Sequence, residues 1–339
     1  MGLFDWLFSR SSAGTANPDI QAGIDRLIQR IDPRLKALAS APARLAPAVE
    51  RALEFCHATL ATLPPPQDAA PGHWRESPLL RALFTRDDEV QQIISRQPAV
   101  QEYARQHPGE PVFYAILGAV LRERQGFGLA LNGDALQHDV AIITLNFERH
   151  RVYLPRSSAA ALDQDLRWAL FDQLGLEILA RLSAMKEDQA DLQEEIALLR
   201  TQLAHLEHQG IGDMFSEEGG APQGEEGAQL ASLAERLRER QEALNQSRQR
   251  LLTLDDTLAW IAATLMEPEG LVEVDGLDYR INSFNQRVGP DQPGEDVHFR
   301  HFRFHAPHPR QGVVLRLRYP LADLLPRSAL TREIERLYG

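Results

Sequence analysis

Four histidines fall within one short segment, His298-Phe299-Arg300-His301-Phe302-Arg303-Phe304-His305-Ala306-Pro307-His308, and imidazoles at that density invite a metal ion. The spacing argues against it. On a straight strand His301 and His305 stand about 13 Å apart at ~3.3 Å per residue, so one ion cannot take both. His305 and His308 can converge around Pro307, but only Glu295 and Asp296 lie nearby to complete a site. The segment reads as a solvated, arginine-rich strand, and an aromatic and basic face for anions or RNA is the competing reading. Its arginines supply a second chemistry. Arg300 and Arg303, with Arg316 and Arg318 on the next strand, could form a ligand or anion site, because alternation puts Arg316 and Arg318 on one face.

Other reactive side chains carry weaker signals. Cys56, the single cysteine, sits on an apolar helical stripe, and His57 points about 100° around the helix from it, which favours a core thiol over a nucleophile. Gly126, Gly128 and Gly133 lack the G-x-G-x-x-G spacing, there is no Walker lysine, and the segment leads into strands. G-x-S-x-G, H-E-x-x-H and cysteine pairs are absent from the sequence. Asp255-Asp256 reads as an exposed helix end rather than a catalytic dyad. These patterns imply no catalytic residue, metal or cofactor, and disfavour an enzyme.

Composition narrows the class. With 339 residues the chain can hold two domains, and one cysteine excludes a disulfide scaffold and suggests a reducing setting. Forty-eight acidic residues against thirty-six basic ones leave a net charge of -12, which disfavours extensive nucleic-acid wrapping. Lys36 and Lys186 are the only lysines, and the remaining basic residues are arginine. The first residues, Met1 to Phe8, are too short an apolar run for a signal peptide and miss the myristoylation pattern at Trp6. On a helix Leu3, Phe4, Leu7 and Phe8 share a face with Trp6 flanking, suited to a membrane surface, a partner's groove or the protein's own core.

Hydrophobic period places the elements. Ile20, Ile24, Leu27 and Ile31 form a helical seam ended by Pro33, and Val49, Leu53, Cys56, Leu60 and Leu63 form another, ended by Pro64-Pro65-Pro66. Ser77-Pro78 and Thr85-Arg86-Asp87-Asp88 start two more helices, the second with Val90, Ile93 and Ile94 inward. Val112, Ile116 and Val120 predict a further helix from Pro111. Then the period changes. Strands are expected over 127–131, after the turn Asn132-Gly133 with Ala141, Ile143, Leu145 and Phe147 on one face, and over 151–154 after a turn at Glu148-Arg149-His150. A second block is expected at 271–274, after a turn at Asp275-Gly276 over 277–281, then over 297–304 and 313–319, with a last helix over 328–337. Strands in two blocks with helices before and between them predict α+β.

Between the blocks, helix from Ser157 or Ser158 acquires heptads. The first seam is Ile178, Leu182, Met185, Gln189, Leu192, Ile196, Leu199, Leu203 and Leu206; the second is Leu230, Leu233, Leu237, Arg240, Leu244, Ser247, Leu251, Leu254 and Leu258. Paired antiparallel, they match layer by layer from Ile178 with Leu258 to Leu206 with Leu230 at a constant sum of residue numbers. Gln189 then faces Ser247, where their side chains could bond and oppose slippage, and Arg240 faces Ile196 and must reach outward. Each arm would be about 43 Å long at ~1.5 Å per residue.

These features predict an amphipathic segment 1–12, a helical region 18–64, a discontinuous α+β body of 77–177 plus 259–339, and a coiled-coil hairpin 178–258 with an acidic tip 207–229. The functional expectation is a non-enzymatic, cytoplasmic interaction protein, an adaptor, spacer or assembly factor, peripheral to the inner face of a membrane through Leu3, Phe4, Trp6, Leu7 and Phe8. Its protein partner would meet the arm, with Ile211, Met214 and Phe215 at the tip as contacts. Pairing of the arms with a second copy is the competing arrangement. The alternative function is a small-ligand or anion-binding domain using Arg300, Arg303, Arg316 and Arg318.

Overall fold

The computed structural model describes residues 17–132, 135–213, 225–249 and 253–326. These are α+β, with eight α-helices and a six-stranded, mainly antiparallel sheet among the described residues. The described chain divides into two compact units, one within Met1–Ala52 and Ile178–Glu267, the other within Leu53–Glu177 and Pro268–Gly339.

In the first unit, α1 (Pro18–Ile31) starts at Asn17, whose side chain accepts the Asp19 N–H, and buries Ile24, Leu27, Ile28 and Ile31. Asp32 then caps a short 3-10 turn (Pro33–Ala37), and the Arg34 guanidinium, 2.7 Å away, holds its carboxyl below the usual range. α2 (Ala41–Ala61) follows, with Leu45 and Val49 buried in this unit. The hairpin comes from α6 (Ala159–Asp213) and α7 (Glu225–Gln249), and α8 (Leu254–Leu265) packs against the 3-10 turn. Ion pairing of Arg44 with Asp255 at 2.5 Å joins α2 to the start of α8.

In the second unit the sheet runs β3 (Ala135–Arg156), β2 (Val112–Asn132), β6 (Arg310–Pro320), β5 (Glu295–Phe304), β4 (Glu273–Ile281), while β1 (Gln67–Asp68) pairs parallel with β6 at Leu317 and Arg318, beyond the stretch that β5 covers. Phe113, Ala115 and Leu117 of β2, Phe299 of β5, and Leu315, Leu317 and Tyr319 of β6 form one buried cluster with α3 (Pro78–Leu83), α4 (Asp87–Arg96) and α5 (Pro98–Gln106). Each of the leucine and phenylalanine side chains stabilises by roughly 1.5–3 kcal/mol through burial. Residues 159–177 of α6 contribute Leu162, Leu170, Phe171 and Leu174 to buried positions. The outer edges of the sheet are also joined: residues 285–288 bond to Ile143 and Leu145 of β3 and to Arg280 of β4, so the ladder returns from one edge to the other. That cover blunts the exposed edge of β3.

Four expectations need correction. Residues 112–120 are strand, not helix; Ile116 is as buried as its neighbours Ala115 and Leu117 on the other face, and a run apolar on both faces fits either period. Glu148-Arg149-His150 makes no turn. β3 continues through it as a bulge in which Arg149 takes a φ of 56° and the register shifts opposite Gly118 to Val120. Asp275-Gly276 is likewise inside a continuous strand, and the Arg300 guanidinium packs over Gly276, 2.7 Å from where a Cβ would lie. The second heptad run is two helices rather than one: Thr253 caps α8, its hydroxyl accepting from Asp256 N while the Asp256 carboxylate accepts from Thr253 N. The expected last helix over 328–337 lies outside the described residues.

Candidate functional site

Each of the four arginines proposed for a ligand meets a partner in the fold. Arg303 bonds Glu273 at 2.6 Å and Asp275 at 2.7 Å across β4 and β5, and its charge keeps the Glu273 carboxyl low. Arg300 donates to Thr62 O at 3.2 Å, and Arg318 to Asp68 at 2.7 Å, fastening β1 to β6. Arg316 is the most enclosed. Its Nη2, Nε and Nη1 reach Leu63 O (2.8 Å), Pro64 O (3.0 Å) and Asp163 (2.8 Å). Arg300, Arg316 and Arg318 share one sheet face, and Arg303 takes the other.

The histidines do not converge on an ion. His298 Nδ1 meets Asp278 at 2.7 Å, His305 Nε2 lies 3.7 Å from Glu273, and burial lowers the pKa of half-buried His301. Among the described residues no group of three or more His, Cys, Asp or Glu could hold a metal. Cys56 is buried and its thiol is pushed up to about 12 by desolvation, which leaves little thiolate to react. Asp255 and Asp256 serve the ion pair to Arg44 and the cap of α8.

Two features escaped sequence reasoning. Glu177 is buried and one of its oxygens accepts the N–H groups of His305 (2.8 Å), Ala306 (2.9 Å) and the Gln173 amide (3.0 Å), fixing the loop between β5 and β6 to α6. The signal was an acid three residues after Leu174 on an apolar helical stripe. The other is a cleft of about 740 Å³ between the start of α3, β3 and the loop joining β4 to β5. No linear motif marks it.

His150, in the β3 bulge, stacks on Phe84 at 4.7 Å and its Nε2 lies 2.8 Å from Leu83 O. Burial lowers its pKa, so the unfolded chain takes up the proton first as pH falls. Stability is therefore full above the ordinary histidine range and declines below it, towards the folded value. Urea midpoints measured between pH 7.5 and 5.5 should fall, and His150→Gln should make that slope shallower, with His301 supplying the remainder. An unchanged slope in the variant would exclude His150 as a source.

The hairpin surface is the other candidate. Ile196, Leu199 and Leu244 are buried at the seam, while Leu198 projects with 58% of its surface exposed. Gln189 donates to the backbone carbonyl of Ser247 at 3.0 Å, so the expected layer forms through the main chain instead of two side chains. Arg240 turns to Glu195 on the facing arm at 3.1 Å. Of the tip residues, Ile211 falls within α6 by backbone, and Met214 and Phe215 lie outside the described residues, as do Leu3, Phe4, Trp6, Leu7 and Phe8. No described helix is long and apolar enough to cross a membrane. Comparisons with protein-family models, with curated proteins and with solved structures find no match.

Proposed function

We propose that this is a non-enzymatic, cytoplasmic interaction protein whose helical hairpin presents its flank to a protein partner. The observation that carries the reading is the division of labour on the arms. Seam leucines satisfy one another inside the hairpin, and Leu198, one residue from buried Leu199, is turned away from them. An exposed leucine alone is ordinary, but here it stands on a rigid pair of helices whose own contacts are already met. The arginine alternative draws no comparable support, because those guanidinium groups bond carboxylates and carbonyls of the same chain.

A photo-crosslinking amino acid placed at position 198 of the full chain in cells should yield one discrete protein adduct, while the same group at buried position 199 yields none. Failure to form an adduct at 198, or equal adducts at both positions, would remove the flank as the docking element.

A further inference from the structure

The cleft beside β3 holds an apolar side chain where water disfavours it, since Phe284 on its rim is 74% exposed. The turn carrying Phe284 is tied down. Asn282 Oδ1 accepts the N–H groups of Phe284 (2.9 Å) and Gln286 (3.0 Å), Asn285 takes a left-handed φ of 57°, and the Asn285 amide donates to Ala82 O at 2.7 Å. A second aromatic, Trp74, also lines the cleft and is fixed by its indole N–H, donated to Phe84 O at 3.0 Å. The Trp74 ring and the backbone that carries Phe284 are thus held in place before any ligand arrives.

The polar lining restricts what fits between them. Its charged residues, Arg81 and Glu295, are bonded to each other, which leaves no unpaired charge to attract an ion. Thr144, Asn146 and Ser283 contribute a hydroxyl, a carboxamide and a second hydroxyl whose side chains make no hydrogen bond among the described residues. The favoured ligand is therefore uncharged, with apolar bodies for the two rings and acceptors that these groups can donate to.

We propose that the cleft binds a proline-rich segment of a partner protein in the polyproline II conformation. Pyrrolidine rings lie against Phe284 and Trp74, and the peptide carbonyls accept from Asn146 and the two hydroxyls. Proline brings no N–H that the cleft would have to satisfy, and its conformation is already formed in solution, so little ordering entropy is lost on binding. This site belongs to the sheet unit and stands apart from the docking of the hairpin.

The test titrates the full chain into fluorescein-labelled decaproline, followed by anisotropy, beside a labelled Gly/Ser peptide of equal length and, by calorimetry, maltohexaose. Decaproline should bind saturably and the Gly/Ser peptide should not. Phe284→Ala should weaken binding by about tenfold, as loss of an aromatic that a ligand packs on does, with an unchanged melting temperature. Asn146→Ala, made in parallel, should weaken it several-fold and carries the test if the first variant folds poorly. The proposal is overturned if decaproline fails to saturate, if both variants bind as well as the parent, or if maltohexaose alone binds in a Phe284-dependent way, which would make the cleft a saccharide site.

Discussion

Arg316→Leu should destabilise the sheet unit by roughly 3–4 kcal/mol, the largest effect expected among the four late-strand arginines. Its side chain is only 13% exposed and makes three charge-assisted bonds, to Leu63 O, Pro64 O and Asp163. Leucine would fill much of the volume while leaving two carbonyls beside Pro65-Pro66, where prolines offer no N–H as a replacement donor. An unsatisfied buried acceptor costs about 1–3 kcal/mol, and the Asp163 contribution is smaller because that carboxylate is 42% exposed. Asp163→Asn should accordingly lose only about 1 kcal/mol or less, the range of a half-exposed ion pair. Arg316→Lys keeps the charge but cannot span three acceptors and should fall between. Calorimetry of the full chain should show a lower transition for Arg316→Leu than for the parent. Equal transitions for Arg316→Leu and the parent would mean that solvent already serves those carbonyls.

The same geometry explains why arginine clusters on the late strands. Each of Arg300, Arg303, Arg316 and Arg318 reaches an acceptor on a different segment: the end of α2, β4, the proline-rich stretch with α6, and β1. A planar fork can bond two segments at once, and a lysine cannot do so with fixed geometry. The lysine-poor composition is thus matched by structural use at these positions, although the skew across the rest of the chain has no structural account.

What was legible in the sequence follows from how many constraints acted on each segment. The helical seams through Ile24 and Leu27, and through Val49 and Cys56, had one apolar face and a proline stop, and they lie where the period placed them. The Gln189–Ser247 layer was readable because two independent heptad runs had to agree. β2 was not, since burial on both faces removes the contrast that a period needs. Turn residues misled where they served other ends: Gly276 makes room for Arg300, and the bulge at Arg149 aims His150 at Leu83. The start of α8 at Thr253 was hidden because the heptad spacing of Leu251, Leu254 and Leu258 runs straight across it. The cleft was invisible because Trp74, Asn146 and Phe284 are joined only by the fold.

Leu199→Asp should open the hairpin, and Leu198→Asp should leave it intact. Leu199 is 2% exposed and belongs to the same seam as Ile196 and Leu244, which are 5% and 7% exposed, so an aspartate there puts a carboxylate into the seam. Loss of the leucine contacts alone costs about 2–5 kcal/mol, and the charge must either leave the seam or be neutralised at further cost. The nearby cross-arm bonds, Gln189 to Ser247 and Arg240 to Glu195, are too few and too exposed to hold the arms against that. Once separated, the arms lose the tertiary packing that supplies most of a helix's stability in a protein, so protection should be lost along both arms rather than at the substituted turn. Hydrogen exchange over residues 185–204 and 233–247 measures this directly, with Leu198→Asp as the control of equal charge, expected within about 0.5 kcal/mol of the parent. Retained protection in Leu199→Asp would show that the arms are held by something other than this seam, and the seam would then not be what fixes the flank at Leu198.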